Sequence, residues 1–255
     1  MHSLYDPARH EPLAAVQWCP SRVRDAITAI CRDAESAFHA DRLWPVHPED
    51  EEPGDPADGI FRGLACGAAG MLHGLDRLAE AGFYKPSLDF AEIAGSLHKA
   101  ALASPDEKDA GASLMLGSSG ILLVAHRLAP SEETADALAA VISANVADPA
   151  NELFYGAPGT MLAARAMYAR TGEERFAELW RAGARELLAR QEEDGLWTQA
   201  LFGKHSRLIG AAHGFAGNIL ALRSAPEWLD DAKGVEARAV ATARALALGD
   251  GGLAN

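Results

Sequence analysis

The sequence predicts an all-α fold, and within that class an incomplete α/α toroid, a double ring of helical hairpins. Two observations carry the prediction. A short phrase recurs four times, as Gly67-Ala-Ala-Gly70, Gly117-Ser-Ser-Gly120, Gly156-Ala-Pro-Gly159 and Gly214-Phe-Ala-Gly217. Each phrase runs at once into an apolar segment, and amphipathic stretches lie between these segments. A unit that recurs in this way buries its apolar face by stacking on its neighbours.

In chain order, the first expected helix is Ser21 to Ala40, with Val23, Ile27, Ile30 and Ala37/Phe38 near one face. The acidic, proline-rich stretch from His47 to Gly59 reads as a loop or a disordered linker. Residues 1–59 are thus an N-terminal helix and loop, and residues 60–255 a repeated toroid, in a single domain overall. Apolar runs follow the glycine phrases at Met71-Leu72, Ile121 to Val124, Met161-Leu162 and Ile219-Leu220. They are apolar on more of their circumference, so they are expected to form the inner ring. Outer helices alternate with them: Leu88 to Ala103, Ser131 to Ala147, Glu173 to Gln191 and Trp228 to Leu248. Ala135, Leu138, Ile142 and Val146 form one stripe; Phe176, Leu179/Trp180, Gly183 and Leu187 form another. Glycine at each inner-helix entry permits close approach of another chain segment. In a closed ring the inner helix starts gather at one face. Their free N–H groups and positive dipole ends make that face the expected place for an anion or a polarised substrate.

A second phrase precedes the glycine turns: Asp58-Gly59-Ile60-Phe61, Asn151-Glu152-Leu153-Phe154 and Asp194-Gly195-Leu196-Trp197. It returns at Asp250-Gly251-Gly252-Leu253, where a fifth unit opens and its inner helix is not delivered.

Composition excludes several classes. The 255 residues are 49% apolar and 23% charged, which suits one soluble domain with a large core. A net charge of -13, with no Lys/Arg cluster along any helix, argues against nucleic acid as a partner. No apolar run reaches membrane-spanning length, and the start of the chain lacks a signal-peptide pattern, so no membrane partner and a cytoplasmic location are expected. Cys19, Cys31 and Cys66 form no CxxC pair and read as reduced thiols. No Cys/His pair has a ligand spacing, so no metal site is expected from these residues. The oligomeric state stays open.

The candidate site residues lie at the inner-helix entries. His213, in Ala211-Ala-His-Gly-Phe-Ala-Gly217, stands at the mouth of an inner helix. It reads either as a general acid/base or as a histidine capping a turn. Glu152 lies four residues before a glycine phrase, and either shares a proton in the same mouth or is a solvent-facing loop carboxylate. Tyr155, Lys204 and Arg207 are substrate-binding candidates; surface charge is the other reading for the last two. His73 reads as a packed or partly buried histidine. Cys66 reads as a small buried cysteine or a thiol at the mouth.

The phrases Glu152-Leu-Phe-Tyr-Gly-Ala-Pro-Gly159 and Gly210-Ala-Ala-His-Gly-Phe-Ala-Gly217 resemble the lanthionine synthetase C-like family, its free-standing glutathione-related members more than its lantibiotic cyclases. Arg62 to Gly70 and Leu116 to Gly120 are looser matches, so the resemblance runs from about Ile60 onward. It implies a double α toroid and a thiol added to the double bond of dehydroalanine or dehydrobutyrine. It implies acid/base work for His213 and an acidic residue near Glu152. The implied partner is a peptide or a glutathione-like thiol. The family's cofactor is zinc, held by a cysteine of one later repeat and an adjacent Cys-His pair of the next. Those ligands are absent from this chain, and Ala212-His213 stand at the matching place here. The resemblance thus implies a LanC-like protein that is incomplete without a zinc-bearing C-terminal part, with little or no addition activity by itself. Two other readings share the fold. One is a carbohydrate-active toroid using Glu152 and Asp194, with Trp197 and Phe154 as platforms. The other is a non-catalytic binding module.

Overall fold

The computed structural model describes residues 17–46, 49, 56, 58–103, 106 and 110–247. The helices among them are α1 (Pro20–Ser36), α2 (Ala68–Glu80), α3 (Phe90–Ala103), α4 (Ser118–Leu128), α5 (Glu132–Asn145), α6 (Ala157–Thr171), α7 (Glu174–Ala189), α8 (Phe215–Arg223) and α9 (Ala232–Leu246). One antiparallel hairpin, β1 (Gln199–Leu201) and β2 (Lys204–Ser206), interrupts the helical series. The Asp250–Leu253 phrase lies outside the described residues, as does most of the acidic loop.

The expected alternation is present. The even-numbered helices touch in sequence, α2 on α4, α4 on α6 and α6 on α8, and form an inner arc. Helix α6 is buried at Ala157–Met161, Ala163, Ala164 and Met167, around most of its circumference. Its outer neighbour α7 buries one stripe, Phe176, Ala177, Trp180, Gly183, Ala184 and Leu187. Phe176 and Trp180 are fully buried, each worth ~2–3 kcal/mol of transfer free energy. Ser131 caps α5 by accepting the Thr134 N–H, and Gly172 at φ 70° ends α6. Helix α4 divides two cores. Leu122 joins the larger core of α5 to α9, and Ile121, Val124 and Ala125 join that of α1, α2 and α3.

The first glycine of each phrase, Gly67, Gly117, Gly156 or Gly214, is the N-cap of its inner helix. The second is a contact glycine. A Cβ on Gly70, Gly120, Gly159 or Gly217 would lie 2.0–2.2 Å from the carbonyl oxygen six residues upstream. The entering loop is therefore pressed against the helix it feeds.

That close approach corrects the expectation of free N–H groups at the inner-helix starts. Ala68 and Ala69 donate to the carbonyls of Phe61 and Arg62, Ser118 to Gly111, and Phe215 and Ala216 to Leu208 and Ile209. These donors are paired by their own repeat's loop, as burial requires. The second recurring phrase also divides. Asp58 and Asp194 each accept the N–H of the residue two further on, in an Asx turn. Asn151-Glu152 instead belongs to the turn entering α6.

Candidate functional site

The turn entering α6 is held from three sides. Asn151 sits at φ 49°, a left-handed conformation that asparagine tolerates. Its carbonyl accepts Asn218 Nδ2 of α8 at 2.9 Å and Gln199 Nε2 of β1 at 3.4 Å. Its side-chain amide donates to the Thr198 carbonyl, and its Oδ1 accepts from Arg190. Leu153 N donates to the Ala212 carbonyl at 3.1 Å, stitching this turn to the one that carries His213.

Glu152 is 0% exposed. Its carboxylate accepts N–H groups from Phe154 (3.0 Å), Tyr155 and Gly156 (3.3 Å) at the start of α6. This corrects the reading of Glu152 as a solvent-facing carboxylate. Oε2 also meets His213 Nδ1 at 2.7 Å. The His213 side chain is 40% exposed. The pair therefore runs from a buried carboxylate to a solvent-reaching imidazole. A carboxylate only accepts, so the chemistry assigns the ring proton to Nδ1 and leaves Nε2 as the outward basic nitrogen. Phe154 packs on the imidazole at 4.8 Å between ring centres, and Tyr155 stacks along it at 6.4 Å with 21° between planes. Phe202, at the hairpin tip, meets Tyr155 edge-on at 5.4 Å.

The structure thus brings Glu152, Tyr155 and His213 together and leaves other candidates apart. Arg207 is bound by both oxygens of Asp194 at 2.5 Å and by Glu192 at 3.3 Å. The hydrogen bond from Arg207 holds the Asp194 carboxyl below the usual carboxylate range. Lys204 opens β2 with its side chain exposed. His73 and Cys66 are both exposed, which corrects their reading as packed residues. Trp197 is fully buried, its Nε1 donating to the Leu187 carbonyl, so it cannot serve as a sugar platform.

Sequence reasoning missed Ser113, Gln199 and Asn218, all fully buried. Ser113 accepts the N–H groups of Met115 and Leu116 and donates to the Phe154 carbonyl. Its signal was available, since it precedes Gly117 by the same four positions that separate Glu152 from Gly156.

The fold and site define a helical toroid carrying a carboxylate–imidazole pair at the entry of its inner helices. The family model for lanthionine synthetase C-like protein matches residues 89–242, from the start of α3 into α9. That is more than half of the chain, and the chain belongs to this family. The match is narrower than the span from Ile60 suggested by the phrases. No curated protein matches the chain. No helix among the described residues is long and apolar enough to cross a membrane. Among the described residues no three His, Cys, Asp or Glu side chains converge on a point where they could hold an ion. His213 has Glu152 on one ring nitrogen and aromatic rings on its flanks.

Proposed function

We propose that the chain supplies proton transfer in the addition of a thiol to a dehydroamino acid, with His213 as the acid/base and Glu152 as its orienting partner. The observation that carries the reading is the 2.7 Å contact between a fully buried carboxylate and an imidazole that reaches solvent. In this reading Nε2 takes the thiol proton, the sulfur attacks Cβ of dehydroalanine or dehydrobutyrine, and Nε2–H returns the proton to Cα. One S–H bond and the C=C π bond are lost, and one C–S and one C–H bond form. Glu152 holds Nδ1–H throughout and stabilises the imidazolium formed between the two transfers. The thiol donor is a cysteine of a peptide or a glutathione-like molecule, in a reducing cytoplasm. Cys19, Cys31 and Cys66 as free thiols are in keeping with that compartment.

The test is product stereochemistry. A dehydroalanine peptide and a thiol are incubated with the full chain, and the two Cα epimers are separated. Proton delivery by His213 predicts a slow addition with an excess of one epimer, lost in His213→Ala. An equal mixture at the uncatalysed rate, unchanged by the substitution, would contradict the proposal and leave a binding module.

A further inference from the structure

We propose that Phe202 determines specificity at this mouth: together with Tyr155 it grips an apolar side chain, aromatic for preference, beside the reacting residue of a peptide substrate. The inference rests on the thiol-addition reading and assigns the substrate class of the same site.

Phe202 and Gly203 form the two-residue loop of the β1–β2 hairpin, with φ 51° and 72°. Both central residues of a type I′ hairpin turn need positive φ, and the first position favours Asn, Asp or Gly. A phenylalanine there is strained. Burial does not compensate for the strain, because Phe202 is 64% exposed. Two unfavourable features, strain and exposed apolar area, coincide in one residue. That residue lies two ring contacts from the proposed acid/base, since Phe202 meets Tyr155 and Tyr155 stacks along His213. Of the exposed large apolar side chains, which also include Trp18, Ile30, Leu220 and Val240, Phe202 is the one joined to His213 by ring contacts. The hairpin is anchored to the site it overhangs. Ala200 N donates to the Pro149 carbonyl, and Gln199 bonds the Asn151 carbonyl and the Leu208 N–H. Two rigid aromatic rings present area at small conformational cost and suit an inserted apolar side chain. Glutathione, whose termini are charged, offers no such side chain, so the gripped residue belongs to the peptide that carries the dehydroamino acid, whichever thiol adds to it.

The test measures binding apart from chemistry. Two labelled peptides carry serine in place of dehydroalanine and differ only in Phe or Asn next to it. Their Kd values are measured with the full chain by fluorescence anisotropy. The wild-type protein is expected to prefer the Phe peptide by about tenfold. Phe202→Asn suits the turn, so its Tm is expected to hold or rise while the preference disappears; Phe202→Trp is expected to keep the preference. Three results would overturn the proposal: no preference in the wild-type protein, a preference that survives Phe202→Asn, or loss of preference in Phe202→Trp with its Tm unchanged. A Phe preference that behaves as expected, combined with absent thiol addition, would strike the proposed chemistry and leave the recognition standing.

Discussion

The turns that enter α4 and α6 are built on one plan and differ in the side chain that holds them. Ser113 and Glu152 each stand four residues before an N-cap glycine, and each backbone carbonyl accepts that glycine's N–H. Each side chain accepts the N–H groups two and three residues further on. Both residues are fully buried. The short serine finishes its hydrogen bonding on the Phe154 carbonyl of the neighbouring turn. The longer glutamate keeps an oxygen for His213. The difference teaches how a repeat acquires a polar partner. The turn is already stabilised by its own N–H groups, so a longer acceptor at the same position can orient an imidazole without a new backbone.

The strongest test of the shared plan is its contact glycine. Gly120→Ala and Gly159→Ala place a Cβ 2.0 and 2.1 Å from the Leu114 and Leu153 carbonyl oxygens, neither of which is a flexible side-chain end. Each is expected to cost about 3–5 kcal/mol or prevent folding. Denaturant melts should show similar losses for the two, and a mild effect at either would break the equivalence.

Glu152→Ser gives the α6 turn the α4 residue. The serine hydroxyl can accept the Phe154 and Tyr155 N–H groups, so the fold should persist by circular dichroism. His213 loses its partner, and the excess of one Cα epimer in the slow addition is expected to be lost. An unchanged epimer ratio would separate Glu152 from the chemistry.

Ser113→Ala removes a hydroxyl on which the Met115 and Leu116 N–H groups and the Phe154 carbonyl depend. Leaving them unpaired is expected to cost ~1–3 kcal/mol in urea unfolding. The epimer ratio of the product should stay as in the wild-type protein, because His213 keeps Glu152.

The smallest effect concerns pH. His126, on α4, is buried with Nδ1 3.0 Å from Thr134 Oγ1, and burial lowers its pKa below the usual histidine value. The unfolded chain therefore binds the proton first. The associated stability is complete above the unfolded pKa of about 6.5 and is lost as pH falls through it. Tm should drop between pH 7.5 and 5.5, less so in His126→Gln. His98 shifts in the same direction through desolvation and keeps part of the slope.

Much of the fold was legible because the outer helices write a 3.6-residue stripe. Phe176, Trp180, Gly183 and Leu187 are all buried on α7 as their spacing indicates. Boundaries were less legible. Helix α1 stops at Ser36 because the chain turns into the His39–Leu43 bridge, with Leu43 at φ 52°. Helix α9 starts at Ala232 because Pro226–Trp228 forms a 3-10 turn and Asp231 caps the helix that follows. The hairpin escaped notice because each strand has three residues, too few for an alternating pattern, and Phe202-Gly203 is not a favoured turn pair. His213 and Glu152 could be named from their places beside glycine phrases. Their contact spans 61 residues, where Leu153 bonds Ala212 across adjacent repeats.

Nitrogen NMR of the imidazole asks whether Glu152 fixes the orientation and tautomer of His213. With the ring neutral, the account predicts a protonated Nδ1 and an unprotonated Nε2, opposite to the preference of free imidazole side chains. It also predicts that this tautomer is lost in Glu152→Ser. A wild-type His213 that carries its proton on Nε2 would contradict the account.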